Sequence, residues 1–141
     1  GLILMTNDGD LIEAMMKGSH RHEKEYVVTV KREITPEFLE SMKQGVYLKD
    51  LHLKTRKCRI RQVDDHTFVI ILTQGVNKQI RRMCKACGNT VSAIRRVRIM
   101  NILLGDLGEN EWREIKGEEK RRLYELSGQK RQNAGIDRKA E

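Results

Sequence analysis

Apolar and polar positions alternate in short segments along this chain, which predicts strands and helices in mixed order. The apolar run at residues 2–5 stops at a turn-forming cluster, and this predicts a buried strand entering a loop. Helical spacing follows, beginning at Asp10 with the pattern of a capping box and ending at Gly18. β-forming residues at 26–30 then predict a second strand.

The middle of the chain predicts a helix followed by a hairpin. Thr35 is placed to cap a helix whose first turn contains Pro36, a position where proline is tolerated. Residues 57–62 and 67–73 have the composition of strands, and the acidic pair at 64–65 is typical of a hairpin turn. These two strands are therefore expected to pair antiparallel.

The last part of the chain predicts further strands and a helix. Residues 91–104 favour one or two strands, 112–115 a final strand and 118–126 a helix, whereas the polar, charged residues 128–141 favour a disordered tail. Strands and helices are mixed without strict repetition. The predicted fold is α+β, with a mixed, mainly antiparallel sheet flanked by helices in one domain at 1–127.

One predicted helix, at residues 78–87, has two chemically opposite faces. At about 100° per residue, four cations share one side and four apolar residues share the other: Lys78, Arg81, Arg82 and Lys85 against Ile80, Met83, Cys84 and Cys87. Neighbouring cations repel one another, so this face favours a polyanion or a buried carboxylate as its partner. An ordinary solvated surface explains the same pattern.

Charge and composition favour an anionic partner. The chain has 141 residues and a net charge of +8, from 28 Lys and Arg against 20 Asp and Glu. Nucleic acid is the partner such a balance favours first, with a membrane surface as the alternative. No apolar run approaches the roughly 20 residues that span a bilayer, and three cysteines make no disulfide framework. These features together predict a soluble protein of the cytoplasm.

Two further groups are candidates for RNA contact. Strand alternation predicts that Arg96 and Arg98 share one face, where they could clamp phosphates or simply stay solvated. Lys24 and Tyr26 share a face of the second strand, a pairing suited to holding a phosphate and stacking a base. Tyr26 as an ordinary core residue is the alternative.

Metal binding is not predicted. Cys84 and Cys87 have zinc-like spacing, but they fall on the apolar side of their helix and lack a second pair of ligands. They are interpreted as small buried hydrophobic residues. His20 and His22 have no companion ligands at suitable spacing, so they are expected to be exposed or to touch phosphate.

Five blocks of sequence resemble the RsuA-like bacterial RNA pseudouridine synthases, in the RluB/RluE/RluF branch and the RluF type in particular. They follow the family's order over about the first 126 residues, at 1–11 (GLILMTNDGDL), 23–30 (EKEYVVTV), 74–83 (QGVNKQIRRM), 96–101 (RVRIMN) and 112–113 (WR). The resemblance implies an isomerase that detaches one uracil in folded RNA, turns it and rejoins it through C5, with no cofactor or metal.

The same resemblance assigns roles to individual residues. Tyr26 matches the tyrosine that stacks on the target base and assists removal of the C5 proton, and Arg81 matches the arginine that pairs with the catalytic aspartate. Ile80 matches a pocket residue. RNA contact is expected from Lys24, Lys78, Arg82, Lys85, Arg96 and Arg98. Ribosomal RNA, that of the large subunit first, is the expected substrate, with transfer RNA as the alternative.

The family's nucleophilic aspartate has no match in this chain, since its R-L-D block would precede residue 1. Asp8 and Asp10 match a turn and a helix cap instead. The expectation is therefore a catalytic domain that lacks its N-terminal segment, is inactive by itself and is monomeric. A non-catalytic RNA-binding module that uses the same basic faces is the alternative.

Overall fold

The computed structural model describes residues 1–17 and 21–128, which form four helices and seven strands. In chain order these are α1 (Gly9–Met16), β1 (Lys24–Val30), α2 (Pro36–Gln44), β2 (Tyr47–Leu48), β3 (Leu53–Lys54), β4 (Arg59–Gln62), β5 (Thr67–Leu72), α3 (Gln79–Ala86), β6 (Val91–Ile99), β7 (Ile102–Leu103) and α4 (Gly117–Ser127). A short 3₁₀ turn at Lys49–Leu51 joins β2 to β3. None of these helices is long and apolar enough to cross a membrane.

The main sheet has five strands in the order β4-β5-β1-β6-β7, and every neighbouring pair is antiparallel. β2 and β3 form a separate antiparallel pair, which the sequence patterns did not predict. The predicted α+β class, the hairpin of β4 and β5 and the helix capped by Thr35 are confirmed. The Thr35 hydroxyl accepts the N–H of Phe38 at 3.1 Å, as a cap residue should.

All four helices pack on one face of this sheet, called here the helix-covered face. On β1 it carries Val28 and Val30, while Val27 and Thr29 lie on the opposite face, called the open face because no described helix packs on it. Two apolar clusters lie under the helices. The main core, under α2 and α3, contains Val28, Val30, Ile34, Phe38, Met42, Val46, Leu48, Phe68, Ile70, Leu72, Ile80, Met83, Cys84 and Val91. The second core contains Leu2, Leu11, Ile99, Met100, Ile102, Leu123 and Tyr124.

Lys24 lies on the helix-covered face at the boundary between the two cores. Its neighbour on β5 is Leu72 of the main core, and its neighbour on β6 is Ile99 of the second core. Tyr26, two residues further along the same face, packs against the main core. The part of this face that lies between the two cores is called here the gap, and polar side chains of β1 and β6 lie there.

A β-bulge in β6 overturns the prediction that Arg96 and Arg98 share a face. Tyr26 pairs with Arg96 while Glu25 pairs with Arg98, so Val97 is an extra residue in the register. Because directly opposed residues point to the same side of a sheet, Arg96 lies on the helix-covered face and Arg98 on the open face. Strict alternation fails here because a bulge adds one residue to β6 that has no counterpart on β1.

The predicted first strand is wrong. Residues 2–5 form no ladder, and the backbone N–H of Leu2 makes a bond of 2.9 Å to the Arg96 carbonyl. Leu2 is buried, whereas Ile3 and Met5 are 72% and 91% exposed, so the apolar run is not buried along its length.

Helix α1 is capped two residues earlier than predicted. Asp8, rather than Asp10, is the cap residue, and its side chain accepts the N–H groups of Asp10 and Leu11 at 3.1 and 3.2 Å. The Asp8 carboxylate also accepts the Tyr124 hydroxyl at 2.6 Å, which joins α1 to α4. The predicted helix end at Gly18 lies outside the described residues.

The segment before α4 also differs from the prediction. Residues 112–115 form no strand, and the Trp112 side chain is 84% exposed. The aromatic and β-branched residues that favoured a strand there are therefore not buried in a sheet. The helix predicted at 118–126 is confirmed as α4. The disordered tail predicted from 128 lies, except for Gly128, outside the described residues, and Gly128 ends α4 in a left-handed conformation.

Candidate active site

The two faces predicted for α3 are confirmed. Ile80, Met83 and Cys84 are buried in the main core, and Lys78, Arg81 and Lys85 are exposed. β5 ends at Leu72 and a short loop leads into the helix, so the first turn of α3 lies beside the end of a central strand. This arrangement places the exposed cations of that turn next to the helix-covered face.

A partly open pocket of about 160 Å³ lies between the first turn of α3 and the helix-covered face. Its lining residues are Tyr26, Leu72, Gln74, Lys78, Gln79, Ile80, Arg81 and Ile94. The pocket therefore brings together four residues singled out from the sequence, although they come from two elements far apart in the chain. An aromatic ring, an aliphatic side chain and a guanidinium share one concave surface, which suits a flat polar ligand.

The start of α3 is electrostatically suited to an anion. Its N-cap residue, Lys78, has left-handed backbone angles (φ 51°, ψ 36°) and makes no capping hydrogen bond with its side chain. No acidic residue lies in the first turn. The free N–H groups at a helix start carry partial positive charge, and here Arg81 adds a full one. A carboxylate or phosphate at the pocket would be stabilised by both.

Two glutamines in the pocket wall were missed from the sequence. The Gln79 amide nitrogen donates to Gln74 Oε1 at 3.3 Å, and the same oxygen accepts the backbone N–H of Arg56 at 2.8 Å. Gln79 is 5% exposed. Its position four residues before Met83 is the sequence signal that could have placed it on the buried side of the helix.

The other cations of α3 differ in their surroundings. The Arg82 guanidinium lies 3.7 Å from the Asp50 carboxylate and donates to the Asn77 carbonyl at 3.0 Å. Lys85 lies in the last turn of the helix, is exposed and does not line the pocket. Of the four cations, Lys78 and Arg81 belong to the pocket wall.

Lys24 and Arg96 occupy the gap between the two cores, beside the pocket but not in its wall. Arg96 is the β6 neighbour of Tyr26, and its Nε donates to the Leu2 carbonyl at 2.8 Å. Burial, and next the positive charge of Arg96, lower the pKa of Lys24 below its ordinary value. Two cations held together in a partly buried position would be stabilised by an anion between them.

Arg98 is engaged in ion pairs on the open face. Its guanidinium lies 3.2 Å from Glu25 and 3.3 Å from Glu23, and it donates to the Met100 carbonyl at 2.6 Å. Glu23 also pairs with Arg59. The bulge thus directs Arg98 away from the pocket into an internal network, and its predicted contact with RNA stays a prediction.

The cysteines and histidines do not form a metal site in the described part of the chain. No group of three His, Cys, Asp or Glu side chains within residues 1–17 and 21–128 is arranged to hold a metal ion. Burial raises the pKa of the Cys58 thiol to about 11 and that of Cys84 to about 12, so both thiols are protonated at neutral pH. His22 Nε2 lies 3.0 Å from the Ala14 carbonyl, and His20 lies outside the described residues.

Comparison with known proteins identifies the family to which this chain belongs. The sequence model of the family described as RNA pseudouridylate synthase matches residues 1–86, and the chain belongs to that family. The resemblance found in the five sequence blocks is thereby confirmed. The match contains Tyr26, Ile80 and Arg81, the three residues to which the resemblance gives a place in the catalytic pocket.

Individual relatives agree with this assignment. The chain is 42% identical over 126 residues to the dual-specificity RNA pseudouridine synthase RluF of Escherichia coli K12, covering 89% of this chain and 43% of that protein. It is 33% identical over 129 residues to ribosomal large subunit pseudouridine synthase B of Vibrio cholerae, covering 89% and 40% respectively. The chain thus spans less than half the length of these relatives.

The fold is also found in a solved structure. A crystal structure described as a pseudouridylate synthase superposes on this chain with a TM-score of 0.67 at 24% identity, covering 70% of this chain and 43% of the other. At this level of identity the likeness supports the fold.

Proposed function

We propose that this chain forms most of the catalytic domain of an RNA pseudouridine synthase that acts on a uridine of ribosomal RNA. The observation that carries the proposal is the shared pocket of Tyr26, Ile80 and Arg81, in a chain that belongs to the family. The names of the relatives, which include a large-subunit ribosomal RNA enzyme and a dual-specificity RNA enzyme, support ribosomal RNA as the substrate.

The reaction is an isomerisation, so its atoms balance without a co-reactant. The bond from N1 of the base to the ribose breaks, a bond from C5 to the ribose forms, the C5 proton leaves and N1 gains a proton. Tyr26 would stack on the extruded uracil and assist removal of the C5 proton, and Ile80 would bound the base on the α3 side. Stacking offsets part of the cost of removing a base from an RNA helix.

Arg81 would hold the nucleophilic carboxylate. A carboxylate in a partly dry pocket needs a nearby cation to stay ionised, and a planar guanidinium binds it with two parallel hydrogen bonds. Asp8 is an unsuitable nucleophile because it caps α1 and accepts the Tyr124 hydroxyl. The family resemblance implies that the carboxylate held by Arg81 is an aspartate with no match among residues 1–141.

The cations around the pocket would bind the RNA backbone. Lys78 lies in the pocket wall, and Lys24 and Arg96 lie in the gap beside it, so phosphates on either side of an extruded nucleotide would meet positive charge. Arg82 and Lys85 would extend this contact along α3. Such contacts position the RNA and leave the choice of base to the pocket.

The test uses the complete gene product that contains this chain and ribosomal RNA transcribed without modifications. We expect Tyr26→Phe to lower the rate of pseudouridine formation at least about 100-fold, the scale of a lost acid or base, while RNA affinity changes little because the ring remains. Mass spectrometry of nuclease digests measures the product. Tyr47→Phe, at a tyrosine 54% exposed on β2, is the matched control.

The possible outcomes separate the two candidate functions. A complete protein that binds ribosomal RNA and forms no pseudouridine would instead be a non-catalytic RNA-binding module. Full activity of Tyr26→Phe would leave the enzyme assignment standing and would refute the hydroxyl's role in proton removal.

A further inference from the structure

Gln79 combines burial, a place in the pocket wall and an unused hydrogen-bond acceptor. Its side chain is almost fully buried, and among residues 1–17 and 21–128 no group donates a hydrogen bond to its Oε1. Asn101 is the other described residue with such an oxygen, and Asn101 does not line the pocket. Buried carbonyl oxygens are normally paired, so an unpaired one beside a binding pocket points to a donor on the ligand.

The orientation of the Gln79 amide is fixed by its neighbours. A backbone N–H can only donate, so the N–H of Arg56 holds Gln74 with its Oε1 toward Arg56 and Gln79. Gln79 must then present its NH₂ group to that oxygen, at 3.3 Å, and the same nitrogen lies 3.7 Å from the Met83 sulfur. Rotating the amide by 180° would bring two oxygens together. Gln79 therefore offers an acceptor, and not a donor, to any further partner.

We propose that Gln79 selects uracil over cytosine by accepting the N3–H of the target base. Uracil carries a donor at N3, whereas cytosine carries a lone pair there, so a fixed acceptor attracts the first base and repels the second. Because this oxygen is enclosed, the amide would tilt toward the base while its nitrogen keeps the hydrogen bond to Gln74 Oε1. This inference rests on the proposed function, because it assumes that the pocket receives the target base.

The first experiment needs no variant. Titration of the ¹⁵N-labelled complete gene product that contains this chain with UMP, CMP and N3-methyl-UMP, followed by NMR, compares three bases that differ at N3. We expect UMP to bind about tenfold more tightly than either of the others, which is the scale of one buried hydrogen bond. Binding of UMP should also shift the side-chain amide signals of Gln79 and Gln74.

Two variants test the fixed orientation. Gln79→Met keeps the length of the side chain and removes the acceptor, so the preference for UMP over CMP should fall to less than about twofold. Gln74→Met leaves the Gln79 amide free to turn and donate to cytosine, so the affinity for CMP should rise relative to that for UMP. A merely structural role of Gln74 would not improve CMP binding.

Gln44→Met, at an exposed glutamine whose nitrogen donates to Glu40, is the matched control and should keep the preference of about tenfold. Equal binding of UMP and CMP by the unmodified chain, with shifts at Tyr26 and Ile94, would refute base selection by Gln79 and leave the proposed function intact. If no nucleotide shifted the pocket signals, both the selection and the pocket's role in base binding would be refuted. The Tyr26→Phe activity test would still decide independently whether the complete protein is an enzyme.

Discussion

Helices α3 and α4 are both short and amphipathic and each contains three cations, but these cations have different partners. On α4, Arg121 pairs with Glu118 and Glu125, each at 2.5 Å, and Arg122 pairs with Glu125 at 3.2 Å. Helix α3 contains no acidic residue, and the only described ion pair of its cations joins Arg82 to Asp50 at 3.7 Å. Equal numbers of positive charges therefore produce a neutralised surface on one helix and a positive one on the other.

This difference shows which of the two helices contributes to the electrostatic field outside the protein. Paired surface charges add little to stability and little to the external field. Unpaired cations beside a pocket raise the local potential and attract anions. The net charge of +8 favoured a polyanion from the sequence, and α3, unlike α4, presents cations beside the pocket where such a partner would be attracted.

Removing one cation from each helix should show the largest contrast. In the complete gene product, we expect Arg81→Ala to lower pseudouridine formation at least about 100-fold, because the catalytic carboxylate loses its fixed counter-charge. Arg121→Ala should change the rate less than about threefold, since its partners are on its own helix. Product formation is measured by mass spectrometry. Similar losses in both variants would mean that the two helices do not differ in function.

A smaller effect is expected on the salt dependence of RNA binding. Replacing Lys78, Arg82 and Lys85 by alanine should lower the slope of log affinity against log salt by about 0.7 to 0.9 for every phosphate that these cations neutralise. The matched replacement on α4 changes Lys120, Arg121 and Arg122, and should leave the slope nearly unchanged. Filter binding or fluorescence anisotropy at several salt concentrations measures both. Equal slopes for the two triple variants would contradict the comparison.

The smallest effect is expected on stability, because a hydrogen bond from Tyr124 of α4 to Asp8 joins this helix to α1. Tyr124→Phe removes the hydroxyl that donates to Asp8, and we expect a loss of about 1 kcal/mol in unfolding free energy near neutral pH, a low value because Asp8 is partly exposed. Urea denaturation measures it, with Tyr47→Phe as the control.

The pH dependence of this loss has a definite sign. The hydrogen bond from Tyr124 is the largest cause of a pKa of Asp8 below its ordinary 3.8. A lowered pKa stabilises the fold above the unfolded-state value, so the difference between the parent and Tyr124→Phe should shrink as the pH falls through the folded-state pKa. Burial raises the pKa of Tyr124 from its ordinary 10.0 to about 12, so the contribution is also lost as the pH rises through that range. A difference independent of pH would refute the ionic hydrogen bond.

The sequence predicted well where a local pattern determines the structure. Thr35 followed by Pro36 specifies a helix start through capping and backbone geometry, and the spacing of Ile80, Met83 and Cys84 specifies which side of α3 is buried. The family resemblance related Tyr26 to that helix, and the structure brings β1 and α3 together at one pocket.

The errors came from features that local patterns do not encode. Residues 112–115 have strand-forming composition but no neighbouring strand, because pairing partners are a property of the whole sheet. Gln79 is buried although it is polar, because Gln74, supported by the backbone of Arg56, satisfies its nitrogen. Neither partner is adjacent to it in the sequence, so helical periodicity alone does not reveal the network.

The extra residue at Val97 also affects how functional roles can be transferred between relatives. From Ala93 to Arg96, β6 has one assignment of odd and even positions to the two faces, and after Val97 it has the opposite assignment. An alignment to a relative with a regular strand must therefore open a gap at this point. If the gap is omitted, Arg98 is matched to a residue on the wrong side of the sheet, even though the letters on either side agree.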